Sequence, residues 1–228
     1  MNLRRTATIS GWLWIATFVT SIPAYFIFYA PMRSNPGLIT GSGADPTFSI
    51  GVGAILELLL IIANVGTAVA FYPILKRQSE AGALGYVGAR IMECTFIAIG
   101  IIAALTFTFM RQSGMGTKEL GNVFMAIYDR AFLVGPGFFA GFDSGLLLGW
   151  LLWRSRLVPR SMAILGLVGG PLIMASGMAI MLGLIPRGGA VQGLSTIPEF
   201  VWELSLGIYL VVKGFRPSPI TAGLESRP

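Results

Sequence analysis

The chain contains no histidine among its 228 residues, a single cysteine and few charges, with 16 Lys and Arg against 10 Asp and Glu. The missing histidine excludes imidazole metal sites, His-ligated haem, Ser-His-Asp triads and His proton shuttles. The lone Cys94 excludes an intrachain disulfide and a thiolate cluster. Soluble domains carry about a quarter charged residues. Here 11% are charged, 54% are apolar and the mean hydropathy is +0.76, a composition that describes an integral membrane protein.

What the sequence has in abundance is long apolar stretches. Crossing roughly 30 Å of hydrocarbon takes about 20 helical residues. Six stretches qualify: Ile9 to Tyr29, Phe48 to Leu75, Leu84 to Met110, Leu120 to Trp153, Ser161 to Leu184 and Ile197 to Val212. The predicted fold is all-α, a polytopic membrane bundle of six helices forming one domain over residues 1–215, with both termini cytoplasmic and residues 216–228 a disordered tail. The first stretch follows Arg4-Arg5, as a secretory signal would, but its apolar run outlasts a signal core and reads as an uncleaved span. The fourth is too long for an upright helix and contains Gly135-Pro136-Gly137, which predicts a kink or break. Residues 30–47, rich in Gly, Ser and Pro, read as an external loop.

The basic residues set the expected orientation. Arg4, Arg5, Lys76, Arg77, Arg154, Arg156, Arg160, Lys213, Arg216 and Arg227 fall on the side of the termini, against Arg33, Arg111, Lys118 and Arg187 on the other. The excess predicts cytoplasmic termini. The net charge of +6 then reports topology and contact with anionic membrane lipid, and nucleic acid is not an expected partner. Trp12, Trp14, Trp150 and Trp153 are expected in the interfacial aromatic belt.

Eight ionisable residues fall inside the spans: Glu57, Arg90, Glu93, Asp129, Arg130, Asp143, Glu199 and Glu203. Each costs about 2.5–3.5 kcal/mol at the bilayer centre, so they are expected to face the bundle interior and one another. At a rise of 1.5 Å per residue, Asn64, Glu93, Asp143 and Glu203 each lie roughly 15 Å from the cytoplasmic end of their span, with Arg90 one turn nearer that end. These five form the candidate ligand or proton site. Glu57, Asp129, Arg130 and Glu199 lie further out and form a second, outer polar group. Three acids against one base in the inner layer leave excess negative charge in low dielectric, which at least one protonated carboxyl would relieve. A purely structural network, with Arg90 bridging two carboxylates and Asn64 capping the set, is the competing reading.

Gly137, Gly141, Gly145 and Gly149 recur every four residues and make a small-residue ridge for close helix packing, with Asp143 on the opposite face. Gly166, Gly169, Gly170 and Pro171 mark the fifth span as close-packed or kinked; no strand precedes them, so they are not a dinucleotide fingerprint. No cofactor and no metal site are expected, since no motif names one.

Arg90-Ile-Met-Glu93, the run from Leu148 to Arg160 (Leu-Gly-Trp-Leu-Leu-Trp-Arg-Ser-Arg-Leu-Val-Pro-Arg), Pro198-Glu-Phe-Val-Trp-Glu203 and Lys213-Gly-Phe215 together resemble the bacterial six-pass membrane family of unknown function DUF4386. The resemblance runs from about Arg5 to Phe215, and residues 154–160 are its most specific part. It implies a bacterial inner-membrane location and transfers no activity. The expected function is therefore binding of a small polar or cationic ligand or proton exchange at the polar core, with transport as one outcome. The alternatives are an accessory or scaffold subunit docked to a partner membrane protein or a second copy, and a lipid-modifying enzyme using carboxyls as acid and base.

Overall fold

The computed structural model describes residues 2–223. Six helices are long and apolar enough to cross a membrane, over Leu3–Phe28, Thr47–Leu75, Glu80–Gln112, Lys118–Ser155, Arg160–Met181 and Ala190–Val212, and no strand occurs among the described residues. The protein is thus an all-α, multi-pass membrane protein.

Helix α1 (Leu3–Pro23) starts at Asn2, whose side chain accepts from the Arg5 amide, and ends at Pro23 in a π-helical turn over Ala24–Phe28. A short helix α2 (Ala30–Ser34) and a 3-10 turn (Pro36–Thr40) order much of what the sequence suggested was loop. Arg111 fastens that segment by donating to the carbonyls of Leu38, Gly41, Ser42 and Gly43. Helices α3 (Thr47–Leu75) and α4 (Glu80–Gln112) follow, the latter capped by Ser79.

The fourth crossing does not simply kink at Pro136. It runs as α5 (Lys118–Val134), two π-helical stretches (Gly135–Phe139 and Gly141–Leu148) and α6 (Gly149–Ser155). π-Helical turns are rare and concentrate at functional sites. Helix α7 (Arg160–Met181) and helix α8 (Ala190–Val212) complete the bundle, α8 starting seven residues earlier than its apolar run suggests.

The glycine ridge meets α7 directly. A Cβ on Gly141 would stand 2.6 Å from the Gly170 carbonyl, and one on Gly145 would stand 2.4 Å from the Gly170 Cα. Only residues without a side chain permit that approach. Helices α1 and α8 make a second close contact, where a Cβ on Gly11 would lie 2.7 Å from the Gly207 carbonyl.

Two apolar clusters close the ends of the bundle. Toward the termini, Trp14, Phe71, Tyr86, Leu148, Trp202 and Leu206 are fully buried together. Toward the far face, Tyr29, Met32, Ile39, Ile50 and Phe107 form the other. Trp14 is therefore a core residue rather than a member of the interfacial belt. Residues 216–223 are held rather than loose: the Arg216 amide donates to the Leu157 carbonyl, Ser218 Oγ to the Ser155 carbonyl at 2.5 Å, and a 3-10 turn spans Pro219–Thr221. The rest of the expected tail, 224–228, lies outside the described residues.

Candidate functional site

Between the two apolar clusters lies the polar layer. Arg90, 1% exposed, donates through Nη1 to Glu93 Oε2 at 2.9 Å and to Asp143 Oδ1 at 3.0 Å. The first pair is one turn of α4 apart; the second joins α4 to the π-helical stretch of the fourth crossing. The guanidinium also stacks over the Trp14 ring, with its carbon 4.6 Å from the ring centre. Desolvated contacts of this kind are worth about 2 kcal/mol. Asn64 Nδ2 donates to Glu93 Oε2 at 3.4 Å from α3. Four of the five residues of the predicted inner site are thus linked in one hydrogen-bonded chain.

Glu203, the fifth, is not hydrogen-bonded to that chain; it is held beside it by Ser144, a residue that charge and spacing do not single out. Ser144 Oγ lies 2.5 Å from Glu203 Oε1, 2.7 Å from Glu199 Oε1 and 2.9 Å from the Ala140 carbonyl oxygen. A hydroxyl has one proton to give, and a carbonyl or ionised carboxylate can only accept. The trio is therefore satisfied only when at least one of the two glutamates carries a proton on the oxygen that faces Ser144. The Trp202 indole anchors the same position by donating to the Ser144 carbonyl at 3.1 Å. Neighbours on a helix point about 100° apart, and both are buried here because the fourth crossing has helices on two sides, Asp143 meeting α4 and Ser144 meeting α8.

The predicted outer group does not form a single cluster. Glu199 belongs to the inner layer through Ser144. Glu57, buried in α3, accepts from the Tyr29 hydroxyl at 3.0 Å and the Tyr128 hydroxyl at 3.5 Å. Asp129 pairs with Arg187 of the α7–α8 connection at 2.8 Å. Arg130 is exposed beside a shallow apolar groove between α4 and α5. One helical step separates Tyr128, Asp129 and Arg130, so their side chains diverge and cannot share a site.

These groups surround a cavity of about 230 Å³ whose wall includes Glu57, Asn64, Arg90, Glu93, Glu199 and Glu203. Asp143 is fully buried and does not line it. The remaining wall is largely carbon, with Phe18, Tyr25, Phe96, Phe132 and Phe200 among it. Two of its residues, Ile22 on α1 and Phe200 on α8, are also 41% and 42% exposed, so the cavity wall between those helices is a single side chain thick. Cys94 is buried with its Sγ 3.9 Å from the Ile61 carbonyl, a packing role. Among the described residues, no three acidic or thiol side chains converge closely enough to hold a metal ion.

A family described as a domain of unknown function (DUF4386) matches residues 9–214. The chain belongs to the DUF4386 family. No curated protein and no solved structure matches it. All five inner residues, Ser144 and the glycine ridge lie within the DUF4386 match.

Proposed function

We propose that the buried polar layer is the working part of this protein, a site that binds a small polar or cationic ligand or exchanges protons and so supports movement across the membrane. One observation carries this reading. Four carboxyls, Glu57, Glu93, Glu199 and Glu203, share the wall of one cavity with a single guanidinium that Glu93 and Asp143 already engage. A network serving only to hold helices together would gain by being dry and fully paired, whereas intramembrane ionisable groups on a cavity wall are the usual mark of a pathway. The Ser144 bridge adds a proton that two glutamates can exchange. We further assign the protein to the cytoplasmic membrane of a bacterium, as its family resemblance implies, with its termini inside, an orientation supported by the excess of Lys and Arg on the face of the termini.

The test is reconstitution into liposomes with an entrapped pH-sensitive dye. Proton flux under an imposed pH gradient is expected from the native chain, and Glu93→Gln and Glu203→Gln are each expected to reduce it at least tenfold. Asp143→Asn, acting through Arg90, is expected to reduce it less. Flux unchanged in all three variants, each folded as judged by circular dichroism, would overturn the proton form of the reading.

A further inference from the structure

We propose that the ligand of this cavity is a small organic cation with an apolar body, a protonated or quaternary amine, a statement that rests on the polar layer being a binding site. Two features of the wall select that chemistry. The first is a free acceptor deep in the protein: Glu93 is 5% exposed, lines the cavity, and makes both of its hydrogen bonds through Oε2, so Oε1 is left without a partner. Glu203 likewise engages Ser144 through Oε1 alone. Arg90 pairs with Glu93 and Asp143 at once and makes no ion pair with Glu203, so one cation is divided between two acids and a third has none.

The second is the aromatic part of the wall, one helical turn from the acids at Phe96 and Phe200. Phe18, Phe96, Phe132 and Phe200 line the cavity, with Phe18 and Phe200 set edge to face at 5.1 Å across the α1–α8 seam. Aromatic faces attract ammonium groups and give nothing to a hydrated ion. A calcium or magnesium ion takes six or more oxygen ligands at short range, and the described carboxyls do not converge in that way. A bare proton has no use for the aromatic rings.

The seam also explains why an apolar body suits the site. Near the termini α1 and α8 touch at Gly11 and Gly207, while further along their contact passes through the Phe18–Phe200 ring pair. There Ile22 and Phe200 belong at once to the cavity wall and to the surface that faces lipid. A ligand that partitions into the membrane would enter by that side if the Phe18–Phe200 pair parts, with its charge drawn to Glu93.

The experiment uses the full chain in lipid nanodiscs and titrates it, by calorimetry, with benzyltrimethylammonium, with its uncharged isostere neopentylbenzene, and with potassium chloride. Benzyltrimethylammonium is expected to bind at least tenfold more tightly than either comparator. Glu93→Gln is expected to weaken it at least tenfold, and Phe200→Ala roughly fivefold, the size of one cation–π contact. Equal binding of the isostere, or no change in Glu93→Gln with the fold intact, would overturn the proposal. If benzyltrimethylammonium fails to bind while Glu93-dependent proton flux persists, the ligand class is wrong and the polar layer remains a proton site. If both fail, the binding reading falls with it.

Discussion

The carboxylate of Glu199 occupies the space where a side chain on Gly145 would stand: a Cβ there would lie 2.6 Å from Glu199 Oε2. Gly169 bounds the same oxygen from α7, at 2.7 Å from its own would-be Cβ. The glycine ridge therefore does more than bring two helices together. It leaves a slot in which a buried carboxyl lies between the fourth and fifth crossings.

Gly145→Ala should accordingly destabilise the protein by about 1–3 kcal/mol, the usual cost of forcing atoms into a packed interior. Gly193→Ala is the matched control, because a Cβ there meets nothing within 4 Å. Thermal unfolding in mild detergent reads the difference. Equal stabilities would show that the slot yields at no cost.

Removing Arg90 should be among the most damaging single changes. Arg90→Gln leaves Glu93 and Asp143 buried without their shared cation, and breaking a buried ion pair from one side costs about 3–5 kcal/mol. Adding Asp143→Asn should restore part of the loss, since it removes one of the stranded charges. A double-mutant cycle on unfolding free energy measures this. Additive losses would show that the two residues do not act together.

Glu57 offers a graded test of two hydrogen bonds to one carboxyl. Tyr29 lies at 3.0 Å and Tyr128 at 3.5 Å, so Tyr29→Phe should destabilise more than Tyr128→Phe. The upper value should be about 1.5–3 kcal/mol, the range for hydrogen bonds to charged groups. The order of the two unfolding midpoints decides it.

Outside the membrane, Asp45 is held below the usual carboxylate range, first by hydrogen bonds from the Thr47 hydroxyl and amide at 2.6 and 3.0 Å and then by Arg111 at 3.3 Å. A carboxyl whose folded value is depressed supports the fold above its unfolded pKa of about 3.9 and loses that support as pH falls toward the folded value. Hydrogen exchange of the 36–45 segment should therefore be steady, after correction for intrinsic rates, from pH 7 to about 5. Below pH 4 its protection should decline, and Arg111→Ala should lower it at every pH.

Much of this was legible in residue spacing. Arg90 and Glu93 are three apart on one helix, and a common depth of about 15 Å placed Asn64, Glu93, Asp143 and Glu203 in one layer. The four-residue glycine period announced the contact with another helix. What spacing could not show was which helices flank the fourth crossing. Ser144 sits about 100° from Asp143, and only the placement of α8 on that side makes a small hydroxyl the bridge between two glutamates. Glu199 was placed in the outer group for a related reason, since its depth was counted along α8 without the serine that draws it to Glu203. Trp14 lies early in the apolar run that starts at Ile9, where an indole reads as an interfacial anchor, but the helix begins six residues before that run, so Trp14 sits mid-helix beneath the buried Arg90.

The seam between α1 and α8 joins the first crossing of the chain to the last. Glu57 and Glu93 find their hydrogen-bond partners on earlier elements, Tyr29, Tyr128, Asn64 and Arg90, but one wall of the cavity they face comes from residues 190–212 alone. The final helix thus completes the compartment as well as the count, and without it the cavity would lie open on the side of Glu93.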